Sequence, residues 1–152
     1  MSGGGGCGTL PPMSEAANAI ETWLRTWLTT NGGVAGTVHL RRDDDLVLTA
    51  AVNIPPPVAA IVRVVPKGKG MAGLAFERNA PVSTCNLKTD ATGDVRPGAK
   101  AVDANAAVAI PIHDAGGAIR GVVGIAYMGE RDMEPSELER LTREAEALPL
   151  PA

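Results

Sequence analysis

The stretch KGKGMAGLAFERNAPVSTCNLKTDATGDVRPGAKAVDANAAVAIP, Lys67 to Pro111, decides how the rest of the chain is read. It opens on a glycine-punctuated loop and passes into a short helical segment, Met71 to Asn79, which Pro81 cuts off. A strand carrying Cys85 follows, then a long polar segment, then the next apolar run. The residues on either side read as scaffold, and this stretch reads as the ligand-facing wall of a small sensor-type domain.

Gly68-Lys69-Gly70-Met71-Ala72-Gly73 matches G-x-G-x-x-G literally, and Asp90 lies near the spacing of a ribose-binding acid. A dinucleotide fold also needs a parallel strand-helix-strand unit. The helix here is barely two turns, and no further strand-helix alternation follows. The glycines are therefore read as turn residues that bring the chain tightly onto a sheet. A helix N-terminus beside Lys67 and Lys69 could hold an anionic group weakly.

Composition removes several classes of function. The 152 residues fit a single domain with one real core. Apolar residues make up 45% of the chain but aromatics only 3%, so a core of Ala, Val and Gly leaves little room for haem or a bilin. No cofactor is expected. A net charge of −3 without a basic stripe argues against nucleic acid as the main partner. No apolar run approaches the roughly 20 residues that span a bilayer, and MSGGGGCGTLPP at the start has no hydrophobic leader core. With Cys7 and Cys85 the only cysteines, no disulfide framework is expected, and a reducing cytoplasm is the expected location.

Residues 1–12, rich in glycine and proline, read as a disordered tail, with residues 13–149 as the domain. Ser14 is placed to cap a helix on which Ile20, Trp23, Leu24, Trp27 and Leu28 form one apolar stripe, stopped at Asn31-Gly32-Gly33. Strands are expected at Gly36–Leu40 and Leu46–Val52, with the five charges from Arg41 to Asp45 as a solvated hairpin tip. After Pro55-Pro56-Pro57, Val58 to Val65 reads as a helical turn and a short strand. Val108–His113 and Ala118–Tyr127 flank Asp114-Ala115-Gly116-Gly117, the clearest hairpin in the chain, and its second strand is apolar or small on both faces. A helix from Pro135 to Leu148 closes the domain, with capping-box spacing at Ser136 and Glu139 and a narrow seam of Leu138, Leu141, Ala145 and Leu148. This order predicts an α+β domain: an antiparallel sheet with helices packed on it.

Several of these segments together resemble the GAF domain pattern. They are Val65-Pro66, Gly68-x-Gly70-x-x-Gly73, Pro81-Val82-x-Thr84, Ala109-Ile110-Pro111-Ile112 with its Gly116-Gly117 turn, Gly121-Val122-Val123-Gly124-Ile125, and Met133-Glu134-Pro135-Ser136-Glu137-Leu138. The resemblance covers about residues 14 to 148. It implies a sheet of about six antiparallel strands flanked by N- and C-terminal helices, and a pocket between the sheet and residues 86–106. One enzymatic branch, the free methionine-(R)-sulfoxide reductases, is similar in this stretch. Those enzymes place cysteines where this chain has Ala72 and Val102, the latter ahead of Asp103. Without a thiolate there, neither the nucleophile nor its resolving partner is present.

Cys85, Asn86, Asp90, Arg96, Asp103 and Asn105 are the candidate ligand contacts, with Arg96 suited to an anion. Cys85 reads as a small buried hydrophobe or as a redox-sensing thiol. His39 and His113 lack a second ligand at metal spacing, so no metal site is expected. Ile20, Trp23, Trp27, Leu138, Leu141 and Leu148 are candidates for a homodimer interface through the terminal helices. The expected function is a non-catalytic GAF-type regulatory module in signalling, binding a small ligand, a partner protein or both. The alternatives are a sulfoxide reductase-like thiol enzyme relying on Cys85 and a purely structural interaction module.

Overall fold

The computed structural model describes residues 13–84, 106–128 and 133–149. Helix α1 spans Met13–Asn31. Strands β1 (Ala35–Arg42) and β2 (Asp45–Val52) follow, then helix α2 (Pro56–Ile61) and strand β3 (Val64–Pro66). Helix α3 is Gly70–Arg78, and β4 (Val82–Thr84), β5 (Ala106–His113) and β6 (Ile119–Tyr127) precede the last helix, α4 (Pro135–Ala145). The six strands form one antiparallel sheet in the order β3-β2-β1-β6-β5-β4. The α+β architecture expected from the sequence, six strands with flanking helices, is the one observed.

The two faces of the sheet carry side chains of different size. On one face Val38, Val108, Ile110, Ile112, Val123 and Ile125 meet the stripes of α1 and α4. Ile20 and Leu141 are fully buried there, Trp27 and Leu148 nearly so, and Trp23 and Leu138 are partly buried against the same core. The six residues considered for a dimer thus lie on this intramolecular core. Trp23 and Trp27 stack with ring centroids 5.2 Å apart. α2 and α3 cover the other face. Phe76 of α3 is buried in that layer, with the Arg41 guanidinium and the Lys67 ammonium each about 5 Å from its ring centroid.

A β-bulge distributes β2 between the two layers. Val38 pairs with Ala50 but His39 pairs with Leu48, which leaves Thr49 without an opposite residue. Leu46 therefore joins the α3 layer while Ala50 and Val52 face α1 and α4, although strict alternation would put all three on one face.

Four local expectations are corrected. Ser14 lies inside α1 and does not precede it. The charged tip between β1 and β2 shrinks to Asp43 and Asp44, with Asp43 at a φ of 56°, because Arg41, Arg42 and Asp45 pair within the ladder. The N-cap of α4 is Glu134, with no side-chain capping bond, and Pro135 takes the first helical turn, where its missing N–H costs nothing. That helix also stops at Ala145, earlier than expected, and Leu148 is buried beyond its end. The tail 1–12 and Cys85 lie outside the described residues.

Candidate functional site

The loop Lys67–Lys69 is built by its glycines. Gly68 takes a φ of +85°, which only glycine adopts cheaply, and its N–H donates to the Gly73 carbonyl at 2.8 Å. A Cβ on Gly73 would lie 2.5 Å from the Pro66 carbonyl oxygen, so the start of α3 sits directly against the end of β3. The motif that resembles a dinucleotide fingerprint is a device for close packing between backbone segments.

This close approach leaves a cavity of about 140 Å³ between the start of α3, α2 and the sheet. Its floor is made of small residues: Ala35 and Thr37 of β1, Ala107 and Ala109 of β5, Gly124 and Ala126 of β6. Their immediate neighbours along the strands, Val38, Val108, Ile110, Val123 and Ile125, fill the opposite layer. Val58 and Val62 at α2 and Met71 and Ala72 on α3 complete the apolar walls, with Lys69 as a charged lining residue. Lys69 is also the N-cap of α3 and makes no side-chain capping bond, so the helix start adds partial positive charge on the same side.

His39 is the buried polar group of this wall, only 3% exposed. Its Nε2 lies 2.8 Å from the Val62 carbonyl oxygen, an acceptor, so Nε2 carries the proton. Nδ1 is then a bare lone pair, buried and without a hydrogen-bond partner among the described residues. Burial disfavours the imidazolium and lowers the pKa below the ordinary histidine value, outweighing the opposing pull of the Val62 carbonyl. The ring is neutral at neutral pH.

The ligand contacts expected from the sequence are other residues. Cys85, Asn86, Asp90, Arg96, Asp103 and Asn105 all lie outside the described residues. Thr37, Met71 and the small floor residues are not among them, and His39 is considered only as a metal ligand. Their signal was present in the strands, where Ala and Gly alternate with Val and Ile on segments apolar on both faces. Ala72 stands in the cavity wall itself, where the resemblance puts a reductase cysteine. No group of three or more metal-ligating side chains comes together among the described residues, and no helix among them is long and apolar enough to cross a membrane.

The family model described as GAF domain matches residues 14–148. The chain belongs to the GAF domain family. Among solved structures, the GAF domain of a phosphoenolpyruvate-protein phosphotransferase from Coxiella burnetii superposes with a TM-score of 0.68 at 18% identity, covering 86% of this chain and 80% of the other. The second GAF domain of DevS from Mycobacterium smegmatis gives 0.61 at 21% identity, covering 86% and 87%. The type II free methionine-R-sulfoxide reductase from Thermoplasma acidophilum gives 0.67 at 14% identity, covering 88% and 89%. No match is found among curated protein sequences. At these identities the likeness is one of fold, and GAF regulatory domains and GAF-fold enzymes share it.

Proposed function

We propose that this GAF domain is a non-catalytic regulatory module that binds a small molecule in the cavity between α2, α3 and the sheet. The observation that carries this reading is the floor of small residues under α3. The lining of this space of about 140 Å³ is predominantly apolar, so burying it under a ligand is favourable. A ligand that fills it makes contacts that the described residues do not make with one another. A thermal-shift screen against small metabolites tests the reading, since a ligand at 100 times its Kd adds about 2.7 kcal/mol of stability. Saturable stabilisation that an added side chain in the floor abolishes supports it. A screen with no stabilising compound favours an interaction module with a closed interior.

The reductase reading has one observation behind it, the fold likeness to the Thermoplasma acidophilum enzyme. Against it, Ala72 supplies a methyl group to the wall at a position where that chemistry needs sulfur. Turnover of free methionine-(R)-sulfoxide with a thiol reductant, lost in Cys85→Ala, would reverse the ranking.

Signal output through a homodimer is the partner reading. Of the six helix residues considered for it, Trp23 and Leu138 are the two left partly accessible. A solution mass of two chains that falls to one in Trp23→Glu supports the dimer, and a monomeric wild type removes it.

A further inference from the structure

Resting on the ligand-binding reading above, we infer that the cavity takes a compact, largely hydrocarbon molecule of about benzene size, single-ring or branched-chain. The described lining suits such a molecule better than a nucleotide, haem or a bilin. Size is the first argument. A cavity of about 140 Å³ is close to the roughly 150 Å³ apolar cavity that holds one benzene in an engineered protein core. A molecule of about six to eight non-hydrogen atoms fills that space, and a cyclic nucleotide has about three times as many.

Chemistry is the second argument. Recognition of a base and a ribose needs several donors and acceptors aimed into the site. Here His39 Nε2 is committed to the Val62 carbonyl, so the side-chain polar atoms of the described sheet floor are the His39 Nδ1 lone pair and the Thr37 hydroxyl, set among Ala, Gly and Val. A ligand with many polar groups would find few partners among the described residues. The described lining contains no carboxylate and His39 is neutral, so a cation finds no counter-charge. The charged lining side chain is Lys69, which suits a ligand with one acceptor group turned toward the start of α3.

The test uses the full chain with benzene, isovalerate and cyclic GMP as probes, read by thermal melting and by methyl NMR. Benzene and isovalerate should each raise Tm by at least about 2 °C at saturation. They should also shift the methyl signals of Ala35, Val58 and Met71, with cyclic GMP doing neither. Ala109→Leu and Gly124→Val each place a side chain in the floor and should abolish both effects. Having two variants covers the case that one fails to fold. If benzene and isovalerate act equally on both filled variants, they bind elsewhere and the inference fails. If cyclic GMP shifts the cavity methyls and the small probes do not, the ligand class is wrong and the ligand-binding reading stands. If no probe and no member of a metabolite panel shifts those methyls, both fall.

Discussion

His113 and Glu146 make a two-point contact. The His113 backbone N–H donates to Glu146 Oε1 at 2.9 Å, and its ring Nδ1 lies 2.7 Å from Oε2. The other ring nitrogen lies 2.6 Å from Asn79 Oδ1, and Asn79 caps α3 in the left-handed conformation at a φ of 52°. One histidine at the end of β5 thereby joins the helix that walls the cavity to the end of α4 on the opposite face.

This junction is partly solvated, so its contribution is modest. Glu146→Ala should cost about 1 kcal/mol and lower Tm by about 2–4 °C. Glu146→Gln, which keeps an acceptor for the His113 N–H, should cost less. Chemical denaturation of both variants is the check, and equal losses would show that the carboxylate adds nothing beyond the backbone bond.

His39 gives the stability a defined pH dependence. Its native pKa is lowered, so between about pH 6.5 and the native value the unfolded chain binds a proton that the folded chain refuses. Its contribution is fully present above about pH 6.5 and falls on acidification through that window, by at most about 1.4 kcal/mol per pH unit. The difference in stability between wild type and His39→Gln, followed from pH 8 to 5 by urea unfolding, should narrow on the acid side. A constant difference would mean that the buried ring does not resist protonation.

Adding to the cavity floor should stabilise the protein. Ala109→Val places two methyl groups into the space under α3 with a residue suited to a strand, and should raise stability by about 1 kcal/mol. Calorimetry decides, and a drop in Tm would show that the floor has no room.

Gly73 should tolerate no side chain. A Cβ there meets a backbone oxygen at 2.5 Å, which no rotamer change relieves. Gly73→Ala should cost about 2–4 kcal/mol by forcing α3 away from β3. Wild-type stability in this variant would show that the contact relaxes freely.

Much of the fold was legible in the sequence because local signals agreed with one another. The three-four stripe through Ile20, Leu24 and Leu28 and the Asp114–Gly117 turn each fixed an element without long-range information. In that turn Asp114 Oδ1 accepts from the Gly116 and Ala118 N–H groups at 2.8 and 3.0 Å. The bulge at Thr49 was not legible, since it reverses the faces of β2 within a run that is apolar on both sides of that threonine. The cavity was legible only in part. Ala35, Thr37, Ala109 and Gly124 lie on three strands, and their shared floor appears once β1, β6 and β5 are paired in register. His39 looked isolated because its partner, the Val62 carbonyl, lies 23 residues away across a helix. The polar residues from Asn86 to Asn105, which read as an unusually long loop, lie outside the described residues.

Met71 offers the most direct test of the central claim that the cavity under α3 is a ligand site. Its side chain lines the cavity, whereas Met128 is half exposed at the end of β6 and Met133 packs near α4 on the other face. Methionine-methyl NMR during titration with small metabolites should show a saturable shift of the Met71 signal, with those of Met128 and Met133 unchanged. Ligands that stabilise the protein while leaving Met71 unmoved would contradict the account.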